Sequence, residues 1–140
     1  MNKVSTIEIQ GIQWEIEDEN ATKKINELET EIQKLKTIEK WEYTIPNYGG
    51  GIIARRQGNV VNVTGQNIGE INKITSDTGD INFAILPERF RPKEDQFYIM
   101  RISASYTTQY GGMIYPNGNI NFWTYEDVNH GYFLLSYIVD

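Results

Sequence analysis

The sequence predicts a mainly β protein: a C-terminal jelly-roll-like sandwich or barrel head, a short parallel coiled coil before it, and a small N-terminal β segment. Three observations predict this. From residue 43 onward, short alternating runs recur with turn residues between them. One stretch, Lys23 to Leu35 (KKINELETEIQKL), places its apolar residues on a single helical face. Ahead of it, Ile7 and Ile9, then Ile12, Trp14 and Ile16, alternate with polar residues on either side of Gly11. The expected division is 1–17 for attachment, 18–42 for a coiled-coil neck and 43–140 for the head.

The 140 residues suffice for one ordinary domain and an appendage. A net charge of -6 without a basic cluster argues against nucleic acid, whose phosphates demand Lys and Arg. The chain has no cysteine, which excludes disulfides and thiolate metal sites. No apolar run approaches the roughly 20 residues that span a bilayer, so membrane insertion is not expected. The opening MNKVSTIEIQGIQWEIE lacks the long apolar core of a secretory signal, so no Sec leader is expected.

The alternation in 1–17 reads as two short strands. Such a pair is not stable alone, so it is expected to join a sheet of another protein or copies of itself. In 18–42, Ile25 and Ile32 occupy a positions of a heptad and Leu28 and Leu35 occupy d positions, with Ala21 extending the d row and Asn20 offering a simple cap. Lys24 and Glu31 then fall at g, and Glu29 and Lys36 at e. Between parallel, in-register chains, Lys24 faces Glu29 and Glu31 faces Lys36, opposite in charge in both cases. Ile at a with Leu at d leans toward dimers. Against this, Lys24–Glu29 (KINELE) resembles the trimerisation signature of short parallel coiled coils, with Lys where that signature has Arg. The competing reading is a helix packed on its own domain.

The head reads as about eight strands, near 51–56, 59–64, 67–71, 80–86, 96–106, 111–115, 119–124 and 131–139, a spacing typical of sandwiches and jelly rolls. Gln57-Gly58-Asn59, Asp77-Thr78-Gly79-Asp80 and Pro116-Asn117-Gly118 supply turns, the last through an Asn-Gly pair that tolerates positive φ. Pleating puts Ile120 and Phe122 on one face of 119–124 and Asn119, Asn121 and Trp123 on the other. Amides beside a flat apolar ring are the mixture that suits sugars, which present hydroxyls and an apolar C–H face. The plainer reading is a solvated strand with Trp123 tucked under a loop. In Tyr132 to Val139 both faces are largely apolar, which predicts a strand buried on both sides, either inside the sandwich or against another subunit; with the coiled coil, the second is favoured.

Other candidates weigh less. His130, the single histidine, stands beside Asp127 and Asn129 and could join a polar pocket rim, although a lone loop histidine usually has no such role. The run Gly49-Gly50-Gly51 has no Lys-Ser/Thr after it and does not read as a phosphate loop. Arg55 and Arg56 point to opposite faces, so at most one meets a ligand; Arg89 and Arg91 read as loop surface. Glu94-Asp95 and Glu126-Asp127 are adjacent acids, not the facing pair that glycoside hydrolysis requires. No Gly-x-Ser-x-Gly elbow exists. The expectation is a protein that is not an enzyme and uses neither cofactor nor metal.

Trp41, Gly49-Gly50-Gly51-Ile52-Ile53 with Arg55-Arg56 and Gly58, Leu86-Pro87-Glu88-Arg89-Phe90-Arg91-Pro92, the Pro-Asn-Gly turn and the ending Tyr137-Ile138-Val139-Asp140 together resemble the receptor-binding proteins of lactococcal tailed phages. The likeness runs from about residue 41 to the C-terminus and lies in the order and spacing of the motifs. It implies a homotrimer at the tail tip or baseplate of a virion, held there through another tail or baseplate protein, with a β head that binds host cell-wall polysaccharide near subunit boundaries. Relatives carry a His and an acidic residue in the strand before the Pro-x-Gly turn; here that strand is Gly111-Gly112-Met113-Ile114-Tyr115. Under this resemblance Trp123, Tyr106, Tyr110 and Tyr115 would supply stacking area, and Asn119, Asn121, Gln109, Asp127 and His130 would direct hydrogen bonds. Trimerisation would fall to Lys24, Ile25, Leu28, Glu29, Glu31, Ile32, Leu35 and Lys36. The alternatives are a purely structural fibre or baseplate component and, behind it, a glycan depolymerase.

Overall fold

The computed structural model describes residues 5–16, 19–69, 81–102, 105–123, 128 and 130–140. They fall into two units, Met1–Thr37 and Ile38–Asp140.

In the first unit, β1 (Ser5–Ile9) and β2 (Ile12–Ile16) form the expected antiparallel pair. Gln10 and Gly11 both take positive φ, 53° and 78°, as a two-residue hairpin turn of the favoured hand requires. Helix α1 (Glu19–Lys36) follows, with Asn20 inside its first turn and not at the cap. Glu19 at its start and Lys34 and Lys36 at its end suit the helix dipole. The hydroxyl and N–H of Thr37 both donate to the Gln33 carbonyl, at 2.9 and 3.1 Å, and close the last turn. No residue of α1 is buried, and Leu28, Ile32 and Leu35 stay 52, 47 and 57% exposed. Among the described residues, Leu28, Ile32 and Leu35 thus stay largely solvent-facing.

Residues 38–42, expected in the neck, are instead the first part of a strand. β3 (Ile38–Thr44) pairs residue by residue with β4 (Gly51–Gln57), from Ile38 opposite Gln57 to Thr44 opposite Gly51. Trp41 stacks on Tyr43, with centroids 5.6 Å apart. A ladder of that length outweighs the helical preference of a few residues, because backbone bonds and cross-strand contacts form together.

The second unit continues with β5 (Val60–Ile68), β6 (Ile81–Ile85), β7 (Gln96–Ile102), β8 (Ser105–Ile114), β9 (Asn119–Trp123) and β10 (Gly131–Ile138). These and β3 and β4 make one antiparallel, nearly closed, barrel-like sheet in the order β3-β4-β5-β10-β7-β8-β9-β6. The order of β6 to β9 is that of a Greek key, since β6 returns to lie beside β9. The strands expected at 59–64 and 67–71 are one strand, β5, kinked by a bulge against β10. The single strand expected at 96–106 is divided between β7 and β8. The turn expected at 77–80 lies outside the described residues. The loop at 116–118 has three residues, and only Gly118 takes positive φ, 91°, while the Asn117 side chain accepts the Asn119 N–H.

Inward residues alternate with outward ones along β4, β5, β9 and β10 and enclose one core. Leu86, Phe90 (in the 3-10 turn Glu88–Phe90), Val128 and Val139 complete it from the loops. Tyr98 of β7 and Phe133 of β10 stack at 4.1 Å. Among the described residues of the one chain, β10 is covered on one face only, so it does not lie inside a sandwich. Phe133 and Tyr137 face the core, but Leu134 and Ile138 are 68 and 73% exposed, because a sheet curled around one core leaves its other side outside. Arg56, on the inner side of β4, serves the fold: its guanidinium donates to the carbonyls of Gly58, Arg89 and Asp140 at 2.8, 2.7 and 2.5 Å. Arg89 in turn pairs with Glu39 at 2.8 Å, and Arg91 donates to Leu86 O at 2.9 Å. Arg56, one of the two arginines weighed as a possible ligand contact, thus ties the C-terminal residue to the loops, and Arg89 and Arg91, read as loop surface, add contacts of their own.

Two predictions follow from these contacts. Arg56→Ala removes three charge-assisted bonds, partly exposed, and is expected to lower stability by about 2 kcal/mol in thermal or denaturant unfolding. Burial holds the phenols of Tyr98 and Tyr137 above the ordinary tyrosine value. A folded-state pKa that is raised gives stability that is full below the unfolded value and lost above it. Melting temperature should therefore hold up to about pH 10 and fall beyond it, with phenolate absorbance rising together with unfolding.

Candidate functional site

The sequence Ile81-Asn82-Phe83 on β6, Phe97-Tyr98-Ile99 on β7, Gly111-Gly112-Met113 on β8 and Asn121-Phe122-Trp123 on β9 turns alternate side chains outward, and the ladders align them in rows. One row runs Phe97, Met113, Asn121, Asn82 across β7, β8, β9 and β6; the next runs Ile99, Gly111, Trp123. Tyr98, Phe122 and Ile120 take the core side.

Gly111 and Gly112 make this face possible. A Cβ on Gly111 would stand 2.6, 2.7 and 2.9 Å from Cζ2, Cε2 and Nε1 of Trp123. All three nearest atoms belong to the N–H edge of the indole, which therefore rests against the glycine. A Cβ on Gly112 would stand 2.1 Å from the Tyr98 ring on the opposite side of the strand. Tyr98 passes beneath β8 there, and its hydroxyl donates to the Asn121 carbonyl at 2.9 Å. Two consecutive glycines thus admit one aromatic ring on each face. Phe97, 54% exposed, stands 6.0 Å from Trp123 and widens the apolar surface.

Polar groups border the rings. Asn121 lies half-buried beside Trp123, and its Oδ1 is buried with no hydrogen-bond partner. A buried acceptor without a donor costs about 1–3 kcal/mol. Asn82, exposed, stands directly opposite on β6. The two rows carry no charged residue. An uncharged face of two rings and two amides can hold a neutral ligand that offers a C–H surface and hydroxyls.

The other residues read from the sequence are not gathered here. Asn119 shares the outward face of β9, but four residues separate it from Trp123, roughly 13 Å along the strand. Tyr115 is at the same hairpin end, its N–H donating to Asn119 O at 2.9 Å. His130 is exposed at the start of β10, with φ 53° and its N–H on Gly69 O. Asp127 and the side chains of Tyr106, Gln109 and Tyr110 lie outside the described residues. Phe97 and Asn82 were missed. Each sits in an ordinary alternating strand, and only the strand order brings them beside β8 and β9.

Neither a protein-family model nor a curated protein matches the chain. Among the described residues, no three His, Cys, Asp or Glu side chains converge as a metal site, and no helix is long and apolar enough to cross a membrane.

Beside this face, β7 and β10 pair only through Gly131 with Ile102 and Tyr132 with Arg101, then part. The gap opens a groove of about 650 Å³, lined among others by Phe97, Ile99, Arg101, Leu134, Thr64 and Gln66.

Gly111→Ala should displace the Trp123 ring, costing about 1–3 kcal/mol as overpacking does. Trp emission should shift to the red, and a spectrum unchanged from the parent chain would contradict the placement of the ring against the glycine.

Proposed function

We propose that the protein is a phage receptor-binding protein that attaches to host cell-wall saccharides through the Trp123 face, as a homotrimer joined by α1 in a parallel coiled coil. The observation that carries this reading is the indole resting against Gly111 beside the unpartnered Asn121 Oδ1. A sugar ring stacks its C–H face on Trp123 and Phe97, and a hydroxyl donates to Asn121 Oδ1. The resemblance to lactococcal phage adhesins supports the same class of ligand. In those relatives a His and an acidic residue occupy the strand before the Pro-x-Gly turn. In this chain the glycines there make room for an indole, so stacking replaces charge-assisted contact and the saccharide recognised is neutral. The largely solvent-facing stripe of Leu28, Ile32 and Leu35 supports association of copies, and the β1–β2 pair, too small to persist alone, suits a joint with another virion protein.

The test combines mass with binding. Sedimentation should give three copies of the 16.2 kDa chain. On arrays of Gram-positive cell-wall polysaccharides, Trp123→Ala should weaken binding at least tenfold, equivalent to about 1.4 kcal/mol, and Asn121→Ala about threefold or more. Binding should change little with salt, since no charge lines the face. A trimer that binds no polysaccharide favours a structural role in the virion, and shortening of the polysaccharide on incubation would favour a depolymerase.

A further inference from the structure

The groove between β7 and β10 is continuous with the Trp123 face. Phe97 belongs to both, since it stands 6.0 Å from Trp123 and also lines the groove. The ladders place Gly111 between Trp123 and Ile99 on one side of the gap, and Leu134 opposite Thr64 on the other. Tyr132 pairs with Arg101, and that register carried on by two residues sets Leu134 across the gap from Ile99. One line across five strands therefore runs Trp123, Gly111, Ile99, Leu134, Thr64. Ile99 and Leu134, both exposed, form the walls where the groove interrupts this line, and the Tyr98–Phe133 stack lies beneath them. Thr64, Gln66 and Arg101 bring a hydroxyl, an amide and a guanidinium to the lining.

We infer that this line is a track for a saccharide chain, so that the head grips an internal stretch of polysaccharide and not one terminal sugar. The inference rests on the saccharide reading of the Trp123 face and gives that ligand a length and a direction. From Trp123 to the near wall of the groove is two strand spacings, about 10 Å. One ring stacked on the indole does not reach that far, so later units of the chain settle in the groove. Three features favour this occupant. The groove, at about 650 Å³, falls within the range of about 300–1,000 Å³ over which ligand sites are found. Its aliphatic walls beside hydroxyl and amide groups repeat the mixture found around Trp123, and Arg101 can donate to neutral hydroxyls without an anion. Finally, the gap narrows to the two bonded pairs at one end. A peptide strand lying in it would need a constant spacing of about 4.8 Å to its neighbours, which a wedge does not offer.

The absence of cysteine allows a direct test on the full chain. Leu134→Cys puts a thiol on the groove wall, and Glu94→Cys puts one in the exposed loop before β7 as a control; both positions are solvent-facing and should leave the fold intact. The probes are fragments of the cell-wall polysaccharide bound most tightly on the array, from a single sugar to several repeats. Each is titrated by tryptophan emission, with Trp123→Phe as the blank, and by the rate at which N-ethylmaleimide alkylates the thiol. A single sugar should perturb the emission and leave alkylation at 134 unchanged. A fragment of several units should bind at least tenfold tighter, equivalent to about 1.4 kcal/mol, and slow alkylation at 134 but not at 94. Long fragments that perturb the emission with no gain in affinity and no shielding at 134 would overturn the inference and leave the Trp123 site standing. A thiol at 134 that is shielded before any saccharide is added would also overturn it, giving the groove to another copy or a second protein. If no fragment perturbs the emission, the saccharide reading fails and this inference with it.

Discussion

The head depends on one strand being shared unequally. β10, the last strand in the chain, sits between the meander of β3, β4 and β5 and the Greek key of β6 to β9, and it alone joins them. It bonds β5 along its whole length but β7 through two residue pairs only. Past those pairs, the joint is made by the Tyr98–Phe133 stack, by the Tyr137 hydroxyl on Phe90 O at 2.6 Å, and by Arg56 holding the final carbonyl. The contacts that secure the end of β10 therefore stand where its ladder with β7 stops. Because β10 follows the other strands of the sheet in sequence, the two halves cannot be joined until it is in place, and the contact has a high sequence separation of the kind that slows folding.

That joint also governs the outer surface. The Tyr98 ring can stack on Phe133 and still reach β9 only because Gly112 lets it pass beneath β8. The neighbouring glycine faces the other way, and the space it leaves is filled by Trp123. Core packing and the candidate site thus share one dipeptide. A side chain at either position would disturb both, since lifting the Tyr98 ring moves the strand on which the indole rests. The orphaned Asn121 Oδ1 belongs to the same arrangement. The backbone carbonyl of Asn121 is held by Tyr98 from inside, while its side-chain amide oxygen is buried with no donor. Local inconsistency of this sort is what a binding surface retains and a purely structural one would lose.

Much of this was legible in the residues. Alternation located most strands, and period two on 119–124 separated Asn121 and Trp123 from Ile120 and Phe122 correctly. The β1–β2 hairpin followed from Gly11 and the isoleucines around it. What failed was whatever depends on partners distant in sequence. The helix pattern runs on past Lys36, but β3 is claimed by β4, with Ile38 pairing nineteen residues on at Gln57 and Thr44 seven on at Gly51. The apolar ending allowed a strand inside the sandwich or against another subunit, and only the curl of the sheet shows that Leu134 and Ile138 lie outside the core. Arg56 could be weighed as a ligand contact because nothing local indicates that three carbonyls lie within reach of its guanidinium. Phe97 and Asn82 were invisible for the same reason: a row across four strands is written in the strand order, not in any one strand.

The size of the site has a consequence for how it must be used. Two rings and one amide acceptor offer a few kcal/mol of stacking and hydrogen bonding, while association costs an estimated 4–15 kcal/mol in lost freedom before any surplus appears. A single head on the proposed reading therefore holds a saccharide weakly, in about the millimolar range. Attachment to a wall made of repeating units works only if several heads engage at once, each raising the effective concentration for the next. On that reading, the exposed leucine and isoleucine on an 18-residue helix multiply a weak site without enlarging it.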